Sequence, residues 1–157
     1  MRQNLVSIGD DFWIENGLGQ KVFKVDGKAL RVRKTLLFED RTGKNLCQIQ
    51  EKMVAVRDKM EIEDANGRTI AVVTKAMITP IRERFTVNIE GGPDIEIQGN
   101  ILDHEYRFEQ NGRKVAETSK KWFRVADSYG VEIESGQNDI LILAATVAVD
   151  MIAHPHR

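Results

Sequence analysis

The apolar stretch near the C-terminus limits the possible folds of this chain more than any other feature. It runs from Ile140 to Ala153 and reads ILILAATVAVDMIA. This length is long for a strand and normal for a helix, which would extend about 21 Å. Because a membrane span needs about 20 apolar residues, we expect a helix buried inside the protein. Asn138 or Asp139 is predicted to cap its start by accepting from backbone N–H groups.

A hairpin-like phrase occurs four times before this stretch. Each copy has a β-rich run, a turn containing glycine and a second β-rich run, and the copies are Phe12–Val25, Leu37–Ile49, Ile62–Lys75 and Arg107–Lys120. Asn-Gly or Thr-Gly between such runs indicates a hairpin, because glycine readily adopts the positive φ that the turn needs. In the first copy Leu18-Gly19 follows Asn16-Gly17, which predicts a longer or bulged loop.

Further strand-like segments lie between and after the hairpins. They are Ala29–Arg33, Met53–Arg57, Arg84–Ile89, Asp94–Gln98, Trp122–Ala126 and Val131–Glu134. Turn signals at intervals of about 8 to 12 residues favour a sandwich or a barrel. A barrel of about twelve strands is too wide to be filled by strand side chains alone. The sequence therefore predicts a mainly β fold, a closed antiparallel barrel of about twelve strands around the buried C-terminal helix, whose Ala144, Ala145 and Ala148 let the strands approach.

The overall composition indicates an ordinary intracellular globular protein. The chain has 157 residues, which fits a single domain over 1–157. Its net charge of −1 gives no general attraction to nucleic acid. Cys47 is the only cysteine, so an intrachain disulfide is impossible, which fits a reducing compartment. The first residues lack the apolar run of a secretory signal, so we expect a cytoplasmic protein, with the membrane surface as a second possible location.

Residues with catalytic chemistry are few and scattered. Cys47 lies within the second hairpin phrase, where a core position explains it best. His104 is interpreted as a solvated turn residue, and His154 and His156 are close to the C-terminus, a type of segment that is usually mobile. One cysteine and three separated histidines do not make a zinc pattern. We therefore expect a protein that is not an enzyme and that has no cofactor, catalytic residue or metal site.

Asp150 is the odd residue of the apolar stretch. A buried carboxylate is costly without a partner, and the helix dipole disfavours negative charge near a C-terminus. We expect the helix to emerge from the barrel here, with Asp150 meeting an Arg or Lys at the rim, or His154 one turn later. The alternative is a polar functional site at the barrel mouth.

Two segments are locally basic, Lys21–Lys34 and Arg113–Arg124. Alternation places Arg31 and Arg33 on one strand face, where they could present two cations to a polyanion. Trp122 and Phe123 beside two lysines could form an amphipathic edge. The candidate anion-binding residues are Arg31, Arg33, Lys34, Lys120, Lys121 and Arg124. An ordinary charged outer surface is the alternative interpretation of both segments.

Several of these phrases resemble the LURP-one-related family. They are IEDANGRTIAVVTK, KKWFRVADSYGVEI, ILILAATVAVDMI and the N-terminal IGDDFWIENGLGQKVFKVDGKAL, and the resemblance runs from about Leu5 to Ile152. It implies an antiparallel β-barrel around a central hydrophobic helix, as in the wider tubby-like group with the phospholipid scramblases. Most members of this type have no assigned activity. Tubby domains bind phosphoinositide head groups through basic residues, and scramblases act at membranes and bind calcium, but this chain has no EF-hand loop.

The sequence leaves two main functional hypotheses. The first is a non-enzymatic barrel module that binds anionic phospholipid or phosphoinositide head groups at a basic outer surface. The second is a protein-interaction or structural domain in signalling that does not bind lipid. The expected partners are therefore an anionic phospholipid or a protein, without nucleic acid and without a transmembrane span. An enzyme would need a deep pocket with converging ionisable groups, and no sequence pattern requires one.

Overall fold

The computed structural model describes residues 2–8, 11–26, 35–51, 59–76, 83–100, 103–119 and 128–153. For residues 2–8, 11–12 and 128–129 it describes the backbone alone. All structural statements below refer to these residues.

The described residues form twelve β-strands followed by one α-helix. The strands are β1 (Arg2–Ile8), β2 (Asp11–Glu15), β3 (Lys21–Asp26), β4 (Thr35–Asp40), β5 (Asn45–Glu51), β6 (Lys59–Asp64), β7 (Thr69–Lys75), β8 (Glu83–Ile89), β9 (Ile95–Asn100), β10 (Glu105–Gln110), β11 (Arg113–Ser119) and β12 (Ser128–Ile133), and the helix is α1 (Asp139–Ala153). Consecutive strands pair antiparallel, and β1 also pairs with β12. The predicted mainly β fold with a C-terminal helix is confirmed.

The four predicted hairpins are β2–β3, β4–β5, β6–β7 and β10–β11. All four have a register irregularity just before the turn, so the bulge expected in the first copy is general. The first loop has the same length as the next two. The Asn16 N–H donates to the Gln20 carbonyl four residues later, just as the Asp40 N–H donates to the Lys44 carbonyl. The glycine with positive φ in the first turn is Gly19, two residues after the Asn-Gly pair.

Outside the hairpin phrases, Arg84–Ile89 falls within β8, Asp94–Gln98 overlaps β9 and Val131–Glu134 overlaps β12. The predicted strands Ala29–Arg33, Met53–Arg57 and Trp122–Ala126 lie outside the described residues. Strand β1 was not predicted. Its sequence, RQNLVSI, carries no turn signal of the Asn-Gly type and only a short apolar run, and it pairs with both β2 and the distant β12.

Alternation along the strands separates the core from the surface. Phe85 and Val87 of β8 and Phe108 of β10 are buried, whereas Arg84 and Arg107 beside them are exposed. This period of two is the one expected of a sheet with a single apolar face. Burying a large apolar side chain contributes about 1.5 to 3 kcal/mol, so the buried face is the main source of stability.

Helix α1 lies against that buried face. The Leu141 N–H donates to Asn138 Oδ1 at 3.1 Å, which confirms Asn138 as the N-terminal cap. Every residue from Leu141 to Asp150 is buried, and the helix contacts β5, β6, β7 and β12. The predicted buried position of the apolar stretch is therefore confirmed. Within the part of the chain that the structure describes, no helix is long and apolar enough to cross a membrane.

The antiparallel pairing gives the molecule two different ends. The turn end carries the turns of β2–β3, β4–β5, β6–β7, β8–β9 and β10–β11, together with the start of α1. The loop end carries the C-terminal part of α1 and the connection from β9 to β10. Functional groups lie at both ends, and they differ in kind.

Candidate anion-binding surface

The six residues predicted to bind an anion lie outside the described residues. They fall in segments 27–34 and 120–127, and they are Arg31, Arg33, Lys34, Lys120, Lys121 and Arg124. The structure describes only the N-terminal part of each basic segment, on β3 and on β11.

The described part of the first basic segment forms an aromatic and cationic cluster on the outside of the sheet. Trp13 of β2 pairs across the strands with Lys24 of β3. The Lys21 Nζ lies 4.6 Å from the centroid of the Trp13 ring, and the Lys24 Nζ lies 6.0 Å from it. Both lysines therefore lie within reach of the Trp13 ring, whose quadrupole attracts a cation. Lys24 is half-buried and lies 3.7 Å from the Asp26 carboxylate, whereas Lys21 is exposed. Lys21 is therefore the more available of the two charges.

The described part of the second basic segment is largely neutralised. The Lys114 Nζ lies 3.4 Å from carboxylate oxygens of both Glu117 and Glu134. Desolvation lowers the pKa of Lys114, but the two carboxylates outweigh it, so its pKa is raised. Strands β12, β1 and β2 separate β3 from β11, so the described parts of the two segments do not converge.

Three neighbouring turns bring four exposed cations together. Residues 17–21, 41–44 and 65–68 are all exposed, and we name them the basic turn surface. Their charged members are all cationic, and they are Lys21, Arg41, Lys44 and Arg68. Because β3 pairs with β4 and β5 pairs with β6, the three turns are adjacent at the turn end. Neighbouring strands lie about 4.8 Å apart, so adjacent hairpins lie roughly 10 Å apart.

Half-buried polar side chains hold these turns in shape. Asp40 Oδ1 accepts from the N–H groups of Thr42 and Lys44 at 2.8 and 3.0 Å, and Asp64 Oδ1 accepts in the same way from two turn N–H groups. The Thr42 hydroxyl is the largest cause of the lowered pKa of Asp40. In the first turn the neutral amide of Asn16 takes the same role. The first turn is therefore built without a carboxylate at this position.

The remaining turns at the turn end carry the opposite charge. Residues 90–94, 111–113 and 134–136 are exposed, and we name them the acidic turn surface. They contain Glu90, Asp94 and Glu134 against the single cation Arg113. The turn end is therefore divided into a cationic half and an anionic half, although the net charge of the chain is only −1.

Leu18 projects from the first turn of the basic turn surface. It is 84% exposed, and no other large hydrophobic side chain is exposed among the residues whose side chains are described. Its N–H donates to Asn16 Oδ1 at 2.9 Å, and the Gln20 N–H donates to the same oxygen at 3.0 Å. The turn therefore holds an apolar side chain in solvent, next to Lys21.

At the loop end, His104 and Asp150 form a buried pair. His104 Nδ1 lies 3.2 Å from Asp150 Oδ1. The prediction of His104 as a solvated turn residue is wrong, because this residue is 2% exposed. Its φ of 49° lies in the left-handed region, where the chain turns between β9 and β10. The contact described for Asp150 is thus with a histidine from a distant turn, and the expected partner His154 lies outside the described residues.

Two further polar groups lie at the loop end. The Tyr106 hydroxyl and Glu83 Oε2 are buried and have no hydrogen-bond partner in the described part of the chain. Burial, followed by the negative charges of Asp150 and Glu83, raises the pKa of Tyr106. The other oxygen of Glu83 pairs with the Lys75 Nζ at 2.9 Å. The raised pKa keeps the Tyr106 hydroxyl neutral beside these carboxylates.

The predicted core position of Cys47 is confirmed. Cys47 is buried on β5, and burial raises its pKa to about 12, which disfavours the reactive thiolate. Among the described residues, no group of three or more His, Cys, Asp and Glu side chains is arranged to hold a metal ion.

The sequence analysis missed the basic turn surface although its signal was present. In the second and third hairpin phrases a cation follows the turn glycine directly, at Lys44 and Arg68. The predicted anion site consists of runs of basic residues along the chain. Here the cations are separated by whole strands and are brought together by the pairing of hairpins.

Antiparallel strands with a buried C-terminal helix and a charged outer surface define the class of this protein as a mainly β module. The chain belongs to the LURP-one-related family, whose sequence model matches residues 1–150. It is 28% identical over 154 residues to the uncharacterized protein YxjI of Bacillus subtilis, covering 98% of this chain and 92% of that protein. The X-ray structure of an Arabidopsis thaliana protein matches with a TM-score of 0.70 and 14% identity, covering 95% of this chain and 88% of the other, and it supports the fold alone.

Proposed function

We propose that this protein is a non-enzymatic binding module whose partner is an anionic phospholipid surface. The observation that carries the proposal is the grouping of exposed cations on three adjacent turns, with no exposed carboxylate among them. Surfaces of one charge sign attract ligands of the opposite sign and increase their rate of encounter. For a cytoplasmic protein, anionic lipids present such a charge over a wide area.

The filled interior supports binding on the outside. We infer that the twelve strands enclose α1 as a closed barrel, since each described strand pairs on both sides and the helix is buried from Leu141 to Asp150. The interior space is then occupied by the protein's own apolar side chains. Substrate chemistry inside the barrel would require a cavity with converging ionisable groups. The exposed turns are the better candidates for contact with a partner.

Co-sedimentation with vesicles tests this function. We expect the protein to sediment with vesicles of phosphatidylcholine and phosphatidylserine, and to remain in the supernatant with phosphatidylcholine alone. The bound fraction should fall as salt rises, because the Debye length shrinks from about 30 Å at 0.01 M to about 8 Å at 0.15 M. Equal sedimentation with both vesicle types, or none with either at low salt, would contradict the proposal.

A protein partner is the second candidate, and the acidic turn surface favours it. Glu90 and Asp94 expose two carboxylates that suit a basic protein surface, and Glu134, which is paired with Lys114, lies at the same end. A pull-down that yields a stoichiometric protein partner, stable in detergent and lost on neutralising these carboxylates, would support this function. The two functions use different halves of the turn end, so the same variants distinguish them.

A further inference from the structure

We propose that the basic turn surface docks on a bilayer of anionic phospholipid, with the Leu18 side chain inserted at the boundary between head groups and acyl chains. This inference rests on the proposed function and adds the face, the orientation and an apolar contact. It places the turn end against the membrane and the loop end, with His104 and Asp150, away from it.

Charge complementarity selects this face. The basic turn surface exposes Lys21, Arg41 and Lys44, together with Arg68, which also lies 3.4 Å from the Asp64 carboxylate. The acidic turn surface on the same end exposes Glu90 and Asp94, together with Glu134, which is paired with Lys114. Each cation near an anionic membrane contributes about a fivefold gain in binding. The acidic half would be repelled by the same charge, so the protein should tilt onto its β2–β7 side.

Leu18 favours a bilayer over a soluble anion as the partner. A dissolved phosphate compound would use the cations and leave the leucine in water. A bilayer offers an apolar layer directly behind its charged head groups, and interfacial binding combines these two contributions. The neighbouring Trp13, held beneath Lys21 at 4.6 Å, adds an aromatic ring of the type enriched at membrane interfaces.

The first turn is prepared for this contact before binding. Three hydrogen bonds to Asn16, from the N–H groups of Leu18, Gly19 and Gln20, fix the backbone of the turn. A group that is already ordered loses less conformational freedom on binding. The second turn has the same backbone arrangement with Thr42 in the place of Leu18, so the chain itself supplies the polar replacement for a matched variant.

Two variants separate the contributions of charge and apolar contact. Lys21→Gln/Arg41→Gln/Lys44→Gln should weaken binding to phosphatidylserine vesicles about a hundredfold. Leu18→Thr should weaken it roughly tenfold. Inositol hexakisphosphate serves as the soluble anion, and its binding should fall with the triple variant and remain unchanged with Leu18→Thr. Equal binding of vesicles by wild type and Leu18→Thr would overturn the insertion.

A control on the other half of the turn end tests whether the face matters. Glu90→Gln/Asp94→Asn makes the chain more positive by two charges without touching the basic turn surface. At 0.15 M salt, vesicle binding should stay within about twofold of wild type, since the Debye length of about 8 Å is shorter than the distance of roughly 10 Å between this turn and the nearest turn of the basic turn surface. A gain of tenfold or more would show that net charge decides binding, and it would overturn the assignment of this face.

Site-specific labelling reports insertion directly. Cys47 is buried and its pKa is about 12, so an environment-sensitive dye should react selectively with Leu18→Cys. We expect a blue shift and brighter emission of the dye on phosphatidylserine vesicles. The matched variant Ser135→Cys, on the acidic turn surface, should show neither change. Identical responses at the two positions would contradict the docking orientation.

The outcomes distinguish the face from the function. Failure of the wild-type chain to bind phosphatidylserine vesicles would overturn both proposals. Vesicle binding that persists in the triple variant would overturn the docking face and leave the proposed function in place. Sedimentation velocity without vesicles tests for another occupant of the basic turn surface. If this surface binds a second copy of the chain or another protein there, the bilayer is not its occupant.

Discussion

The turn end and the loop end place polar groups beside the same apolar core in different ways. At the turn end Asn16, Asp40 and Asp64 accept from N–H groups no more than four residues away. At the loop end His104 meets Asp150, which comes from another element and a distant part of the chain. The hydrogen bonds of the turns form as soon as a few neighbouring residues adopt the turn. The His104–Asp150 contact forms only when the helix has packed against the strands.

This difference assigns different roles to the two ends. The turns present charges to solvent and change little when a surface residue is replaced, which suits a binding surface. The loop end buries ionisable groups around the last turns of α1, so substitution of these residues should disturb the fold. Substitutions of the same type at the two ends can therefore test the distinction.

Glycine replacement should give the largest contrast. A Cβ at Gly99 would lie 1.8 Å from the Glu105 carbonyl oxygen, and this backbone atom cannot move away cheaply. We expect Gly99→Ala to lower the free energy of unfolding by about 3 kcal/mol or more. Urea denaturation followed by circular dichroism measures the change.

Gly43→Ala is the matched replacement at the turn end. A Cβ there would meet no heavy atom within 4 Å, but φ is +84°, in the left-handed region. The cost should be about 1 to 2 kcal/mol, set by backbone strain alone. A loss for Gly43→Ala as large as that for Gly99→Ala would refute the idea that the turn end tolerates change better.

The same contrast decides how much could be predicted from the sequence. The hairpins β2–β3, β4–β5 and β6–β7 follow from glycine turns between β-rich runs, and α1 follows from an uninterrupted apolar run behind Asn138. These signals are local. Strand β1 was missed because its own residues carry only a short apolar run, and its place in the sheet between β2 and β12 is set by the topology.

The prediction for His104 failed for the same reason. His104 looked like a solvated turn residue because a turn was correctly predicted around it, but its burial depends on Asp150 of the helix. The basic turn surface also requires the order of the strands, since Arg41 and Arg68 become neighbours only when the hairpins pair side by side. The sequence shows which residues are cationic, but only the order of the strands shows that they lie together.

The buried pair should show stronger coupling than a surface pair. A double-mutant cycle of His104→Ala and Asp150→Ala is expected to give a coupling energy of about 1 to 3 kcal/mol, because burial leaves little solvent to screen the contact. Arg107 and Glu109 provide the exposed comparison, with a distance of 2.6 Å and side-chain exposures of 59% and 34%. Their coupling should stay below about 1 kcal/mol. Equal coupling in the two cycles would remove the energetic distinction between the buried and the exposed pair.

The smallest expected effect concerns the carboxylate under the second turn. The pKa of Asp40 lies below its ordinary value of 3.8, first because the Thr42 hydroxyl donates to it at 2.6 Å. Thr42→Val should raise that pKa towards 3.8, as an NMR titration of the carboxyl carbon would show, with the pKa of Asp64 unchanged as the control.

The sign of the accompanying stability change follows from the lowered pKa. A carboxyl group with a lower pKa in the folded protein stabilises it above the pKa of the unfolded chain, and this contribution is lost as pH falls through the folded value. Urea midpoints of wild type and Thr42→Val should therefore differ at neutral pH and approach each other below about pH 4. If the urea midpoints still differ at low pH, the Thr42 hydroxyl stabilises the turn without the charge of Asp40. Local hydrogen bonds would then hold the turn end together independently of ionisation.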